Sequence, residues 1–421
     1  MQDIKKARII IGLLFILIAA LMPHSFMQFD LEHWLKWALL IHRDGLTNIY
    51  NHRVADYQPL YYYFLWFFDW IQGSKPNIVE NIGYIKLLPL CFDFLPVIVL
   101  CCFRQTIINT KIPYLYLLLN IAYLFNTCIW GQIDSIYTCL CFFAILYGAR
   151  KPVLSAFLFA FALALKPQPI IFLPIMGVIW LYGVRNFKTI LVMLFTIAIT
   201  WLVIALPFIV AGKGQDVWNV VVGAVGRFPR VSLGAFNIWY LITKDNPYHT
   251  LDKTTYFILS YKQWGLIFFL ISSGLVMLTV LFRFIRARIE KEHLSQDMIK
   301  MLMLTAGIIT LYFFYFNTQM HERYAHATLL FFFFYGVLQK DYKLYILASI
   351  PYFLSLDKLM PDYLPVTHYK IIWASQVIAL WYTLELIYSS YLFFSQYKLK
   401  QEYQKLKAAL ALNNRLPGKA E

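Results

Sequence analysis

Apolar residues run through this chain in long unbroken blocks, and polar residues gather in the gaps between them. A bilayer core about 30 Å thick asks for roughly 20 apolar residues per helical crossing, fewer where a helix ends beside a polar cavity. Twelve blocks qualify, near residues 8–22, 84–103, 112–130, 134–149, 152–165, 168–183, 188–211, 264–282, 299–316, 323–338, 342–357 and 371–396. They predict an all-α polytopic membrane protein of about 12 transmembrane helices, a single integral membrane domain over residues 1–421. The first block follows Lys5, Lys6 and Arg8, but Leu21, Met22, Pro23 and His24 offer no small-residue cleavage site, so it reads as a retained anchor.

Composition agrees with the pattern. A chain that is 60% hydrophobic, 19% aromatic and 14% charged carries more apolar surface than a soluble core can hide. The six cysteines, Cys91, Cys101, Cys102, Cys128, Cys139 and Cys141, all fall in predicted spans without metal-ligand spacing and read as small buried hydrophobes.

Charge sets the expected orientation, because cytoplasmic loops retain Lys and Arg. With the amino terminus inside, the inner segments collect Lys5, Lys6, Arg8, Arg104, Lys111, Arg150, Lys151, Arg185, Lys188, Arg283, Arg286, Arg288, Lys291, Lys300, Lys340 and Lys343. The tail at 397–421 adds Lys398, Lys400, Lys405, Lys407, Arg415 and Lys419. Set against Asp3, Glu290, Glu292, Asp297, Asp341, Glu402 and Glu421, they account for the whole formal net charge of +15. A crossing at 57–72 would invert every later loop. Its sixteen residues reach only about 24 Å as a helix, and Asp69 at mid-membrane would cost roughly 2.5 to 3.5 kcal/mol. That segment is expected to be interfacial or re-entrant. Two large loops then share the outer side, 23–83 and 212–263, and the basic tail is expected as an amphipathic helix on the inner leaflet, both termini lying inside.

Five polar clusters fall on that outer side. The first holds Asp30 and Glu32, with Asp56 near the end of the loop; the second is the turn Trp130, Gly131, Gln132, Ile133, Asp134 and Ser135. Lys166 and Gln168 link two helices too short to cross comfortably, about 21 Å for residues 152–165, so this turn should line a sunken cavity. Arg227 and Arg230 lead into Ser232, Asn237 and Trp239, cations where the orientation rule makes them scarce, which suggests an anionic ligand such as a lipid phosphate. His321, Glu322 and Arg323 close the set. Each has a plainer reading beside it: Asp56 as a turn residue, Trp130 and Tyr61–Tyr63 as an interfacial belt, Arg323 as a snorkelling side chain, Asp93 and Glu385 as helix caps or ion-pair partners. His24, His33, His42 and His52 lack a spacing that fixes zinc.

Taken in order, FDLEHW, DYQPLY, KLLPLCFD, WGQIDSIYT, ALKPQP, FNIW and MHERY resemble the polytopic mannosyltransferases related to glycosylphosphatidylinositol-anchor biosynthesis, members of the GT-C superfamily, over about residues 25–330. The resemblance implies a GT-C-like bundle whose large first outer loop carries interfacial helices. It also implies a hexosyltransferase that takes a hexose, mannose first, from a polyprenyl-phosphate donor on the outer or lumenal side; the expected location of this chain is a bacterial cytoplasmic (inner) membrane. The acceptor would be a lipid or glycan hydroxyl. In that family an Asp of the first outer loop is the catalytic base, and Asp30 stands at the matching position; Glu32 matches a second acidic position found in some members. The stretch from His321 to Tyr324 is similar to the family's His/Glu/Arg-aromatic element, with a different spacing of His and Arg from related eukaryotic sequences.

Glycosyl transfer needs a base for the acceptor proton and cations for the departing phosphate. The expected phosphate ligands are Arg323, Lys166, Arg227 and Arg230 in falling order, with His321 as a possible donor. Trp34, Trp130, Gln132, Asp134, Gln168, Asn237 and Glu322 are the expected contacts to sugar or acceptor, and the phenylalanines of 329–334 a candidate lining for the prenyl chain. No cofactor and no nucleic-acid partner is expected beyond membrane lipids and the two substrates; a divalent ion on Asp30 and Glu32 stays open. The rival readings are a twelve-span secondary transporter and a lipid-linked glycan flippase or polymerase. A transporter would show two related halves and midplane polar residues, whereas here the outer loops are unequal and polarity collects at one face.

Overall fold

A computed structural model describes residues 2–24, 28–52, 54–103, 107–108, 110–223, 226–360 and 371–415. Arg104, Lys419 and Glu421, counted above with the inner charges, lie outside the described residues, as do the side chains of Asp3 and Arg415.

The described residues are predominantly helical. Its α-helices are α1 (Gln2–Leu21), α2 (Gln28–Asp44), α3 (Pro59–Gln72), α4 (Lys75–Asn81), α5 (Leu87–Cys102), α6 (Tyr114–Leu118), α7 (Ile121–Cys128), α8 (Asp134–Tyr147), α9 (Pro152–Leu163) and α10 (Leu173–Gly183). They continue with α11 (Phe187–Val210), α12 (Gly214–Val222), α13 (Trp239–Ile242), α14 (Tyr261–Ile289), α15 (Gln296–Phe316), α16 (His326–Gln339), α17 (Lys343–Lys358), α18 (Ser375–Gln396) and α19 (Leu399–Arg415). Among the described residues the sheet is a two-residue hairpin, Thr255–Tyr256 against Leu259–Ser260.

Among the described residues, six segments are long and apolar enough to cross a membrane: Ile4–His24, Lys75–Cys102, Phe187–Val210, Tyr261–Ile289, Gln296–Phe316 and Ser375–Asn413. The other expected crossings are shorter helices. The block at 112–130 breaks at Asn120, whose side chain caps α7 by accepting from the Tyr123 N–H at 3.4 Å. Its amide also donates to the Tyr345 hydroxyl and to Ser349 Oγ, at 2.6 and 2.7 Å. At 14 residues, α8 reaches about 21 Å, and every residue from Asp134 to Leu146 is buried by its neighbours. With α15 and α16, likewise buried along nearly their whole length, it forms the core.

Around that core stand helices with bare apolar faces. Leu13 on α1, Phe195 on α11, Leu270 on α14 and Leu384 on α18 are all more than half exposed. A belt of this size costs too much to leave in water and suits lipid contact. The segment at 57–72 folds as α3, started by Pro59 and stopped by Gly73 at φ +68°. Its inner face buries Tyr61, Tyr62 and Leu65, its outer face shows Trp66, Phe67 and Trp70, and His42 holds Asp69 at 2.7 Å. The tail forms α19, tied to α14 by Arg286 and Glu402 at 3.1 Å. The rings of Phe331–Phe334 are fully buried, packed on Phe142 and Phe172, so they line no lipid-facing groove.

Candidate functional site

Four chain segments converge where helices start or stop, because only there are backbone groups and polar side chains free of the helical ladder. Asp30 lies in the first turn of α2, where a carboxylate suits the positive end of the helix dipole. The turn before α8 is closed onto α7: the Trp130 N–H donates to the Phe125 carbonyl and the Gln132 N–H to that of Asn126, each at 2.9 Å. Gly131 takes φ +75° in this turn, a left-handed conformation that glycine tolerates best. Its carbonyl accepts from the Trp34 indole at 2.8 Å. Lys166 follows α9, and His321, Glu322 and Arg323 follow α15.

The Asp30 carboxylate is clamped on one side. Its Oδ2 accepts from Trp130 Nε1 at 2.5 Å and from Gln132 Nε2 at 2.7 Å, across about a hundred residues of sequence. Among the described residues, no hydrogen bond reaches Oδ1, and the residue is only half-buried. One oxygen is fixed; the other is without a hydrogen-bond partner among the described residues and could accept from a hydroxyl.

Behind the clamp runs a buried ion network. Gln132 Oε1 accepts from Lys166 Nζ at 3.2 Å, and Lys166 Nζ bonds Asp134 Oδ1 at 2.8 Å. Arg323 lies between two carboxylates, 2.7 Å from Glu322 Oε1 and 3.8 Å from Asp134 Oδ2. Burial lowers the Lys166 ammonium below its ordinary range, against the pull of Asp134. Burial also raises the Glu322 carboxyl, but Arg323 and His321 together outweigh it and hold it at about 2. The His321 ring is lowered by burial and then by Arg323, which keeps it neutral near pH 7. Asp30, Asp134 and Glu322 thus face Lys166 and Arg323, so the inner network is not cation-rich. Two polar atoms around it, Arg323 Nε and Gln168 Oε1, are enclosed without a hydrogen-bond partner among the described residues.

The remaining expected residues divide. Arg227, one-third exposed, reaches Asp56 Oδ2 at 3.4 Å and its carbonyl at 3.1 Å, and Phe228 beside it lies edge-on to His321 with ring centroids 6.0 Å apart. The second loop is joined to this point by the Leu233 N–H donating to the Met320 carbonyl at 2.9 Å. Gly234, at φ +95°, passes so close that a Cβ there would meet Glu322 Oε2 at 3.1 Å. Arg230 is turned away, donating to the His249 carbonyl at 2.7 Å. Glu32 is exposed and makes no polar contact among the described residues. The rings of Trp34 and Trp130 are buried, 2% and 4% exposed, and Trp34 packs edge-on to Tyr57 and Tyr61. Neither offers a free face to a hexose. Asn237 is fully buried and donates to the Phe314 carbonyl at 3.0 Å, a structural bond. Among the described residues no group of three or more His, Cys, Asp or Glu converges as a metal site would require.

Three participants were not foreseen from sequence. Tyr57 donates to Gln132 Oε1 at 3.4 Å and lies under the Lys166 ammonium, 5.2 Å from ring centroid to Nζ. Phe228, 46% exposed, is an open aromatic surface beside His321. Lys86 is buried and donates to the carbonyls of Met22 and Cys128, at 3.1 and 3.0 Å, bracing the end of α1 against the turn that carries Trp130. Its presence as a lone cation inside the apolar block 84–103 was the available signal. Compared with models of known families and with curated proteins, the chain matches none.

Proposed function

We propose that this chain is a membrane glycosyltransferase that moves a hexose from a polyprenyl-phosphate carrier to a hydroxyl of a lipid or glycan acceptor. The observation that carries the reading is the Asp30 carboxylate, one oxygen held by two N–H donors and the other open, set beside buried cations. In this reading the bundle is of GT-C type with twelve crossings, six of them by shorter helices, of which α8 and α16 are buried among their neighbours. Both termini lie in the cytoplasm, and the site opens on the outer side of a bacterial cytoplasmic membrane.

The residues take distinct parts. Asp30 Oδ1 accepts the acceptor hydroxyl proton as the new C–O bond forms, a contribution of about 10² to 10⁴ in rate. Trp130 and Gln132 keep the carboxylate aimed, which is worth more than its bare charge because misalignment is costly. Arg227, the most accessible of these basic groups, meets the departing phosphate, with the neutral His321 ring beside it as a hydrogen-bond donor. Lys166 and Arg323, already bound to carboxylates, set the charge of the pocket floor, and Arg323 Nε and Gln168 Oε1 remain for a ligand polar group. In-line displacement inverts the anomeric centre.

The test is turnover. Purified protein in lipid nanodiscs is given polyprenyl-phosphate hexoses, mannose first, with candidate lipid and glycan acceptors. Release of polyprenyl phosphate together with an acceptor heavier by one hexose is expected; a donor pool left intact with every hexose overturns the reading.

A further inference from the structure

A cavity lies at the far end of the same helices. From Asp134 at the site, α8 runs to Tyr147, just before Arg150; α10 runs from the Gln168 segment to Tyr182 and Gly183; α15 begins after His293 and ends before His321. Arg150, Tyr182, Arg185, Glu292 and His293 line this cavity of about 330 Å³. By helical rise, the 21 residues of α15 separate its mouth from the site by about 31 Å, a bilayer's thickness.

The charges here are not balanced. Glu292 is taken by Arg283 through two hydrogen bonds of 2.6 and 2.7 Å, and its carbonyl accepts from the Tyr182 hydroxyl at 2.6 Å. Among the described residues, Arg150 and Arg185 make no side-chain hydrogen bond or ion pair. Two free guanidinium forks facing one concave volume, with the adjacent carboxylate already neutralised, form a receptor for an oxyanion. The surroundings point to its source. Leu181, next in sequence to Tyr182, and Phe187, two residues after Arg185, are 63% and 70% exposed, so apolar surface that acyl chains would cover lies close along the chain to the cavity lining.

We propose that this cavity binds the phosphate headgroup of an anionic membrane lipid in the leaflet opposite the Asp30 site, with Arg150 and Arg185 as its ligands and His293 at its rim. This site depends on the membrane embedding of the chain and not on the transferase reading. It is read by binding, so it can be measured equally on an Asp30→Asn protein.

The experiment is native mass spectrometry of the full-length protein from nanodiscs of phosphatidylcholine with phosphatidylglycerol, supported by titration of phosphatidylglycerol. The wild-type protein is expected to retain phosphatidylglycerol over phosphatidylcholine. The R150Q/R185Q double variant should lower that association about tenfold or more, and R185Q alone, at an exposed position, should give part of the loss. The control K5Q/K6Q should retain the lipid. Equal retention by wild type and R150Q/R185Q overturns the proposal, as does an equal loss in K5Q/K6Q, which would mean only diffuse surface charge. Inorganic phosphate is the second arm: millimolar phosphate should leave the lipid bound to the wild-type protein, and its displacement at that concentration would assign the cavity to a soluble phosphate and overturn the lipid assignment.

Discussion

Replacing Asp30 by Asn tests the chemistry while leaving the architecture almost untouched. The Asp30 Oδ2 atom accepts from Trp130 at 2.5 Å and Gln132 at 2.7 Å, and an amide carbonyl can take over both bonds. What disappears is the basic Oδ1. A general base contributes about 10² to 10⁴ in rate, which is about 3 to 5 kcal/mol at 1.36 kcal/mol per decade. The turnover constant of D30N should therefore fall by at least about a hundredfold, with donor KM changed by less than a few-fold because no donor-phosphate ligand is lost. Trp130→Phe, which removes one donor to a charged acceptor and keeps the ring, should cost less, about 1.5 to 3 kcal/mol at most. The assay is product formation by purified variants from a polyprenyl-phosphate hexose under saturating donor. D30N with more than a tenth of wild-type turnover would refute the base assignment. Equal losses in KM and kcat across both variants would instead mark Asp30 as a structural acceptor for the indole.

Other consequences can be measured on the same preparations. Lys86→Met strips the carbonyls of Met22 and Cys128 of their buried donor and should destabilise the protein by about 3 kcal/mol in a detergent unfolding titration; an unchanged midpoint would contradict the bracing role. Glu322, held at about 2 rather than its ordinary 4.5, contributes stability that is fully present above pH 4.5 and is lost as pH falls from there toward 2. The stability gap between wild type and E322Q should accordingly be wide near pH 6 and close over that interval, whereas a gap constant with pH would show that Glu322 is not held ionised by Arg323. Under the proposed transferase reading, which gives the phosphate charge to Arg227, activity should survive a strong chelator; loss of activity restored by Mg²⁺ would transfer that role to a metal.

The legibility of this chain follows from the range of the forces involved. Helical segments and their apolar character were readable because they depend on neighbours within a few residues: α11 and α15 fall on their predicted blocks with only terminal differences, whereas α14 runs on past its block to Ile289 and takes in Arg283, Arg286 and Arg288. The break at Asn120 was not readable as such: its amide is drawn to Tyr345 and Ser349, more than two hundred residues away. Lengths such as that of α8 are likewise set by burial among other helices, which permits a helix too short to span 30 Å alone. Within the site, sequence identified the polar clusters, since acids and bases stand out against hydrocarbon, but not their partners. Lys166 and Arg323 read as cations awaiting phosphate, and the structure pairs both with carboxylates. Trp34 and Trp130 read as sugar platforms, and both rings are buried. An indole's N–H and its face are indistinguishable as sequence; which one is used depends on what packs over it.

All of the chemistry requires that the first loop and the segment around Arg227 meet one aqueous compartment. In a background lacking the six native cysteines, E32C and R227C place single thiols at exposed positions on either side of the site, with K5C as the opposite-side control. Labelling by a membrane-impermeant maleimide in right-side-out vesicles is the direct measurement. E32C and R227C should both react from outside while K5C reacts only after permeabilisation; reaction of E32C and R227C from opposite sides would dissolve the shared pocket and the transferase reading with it.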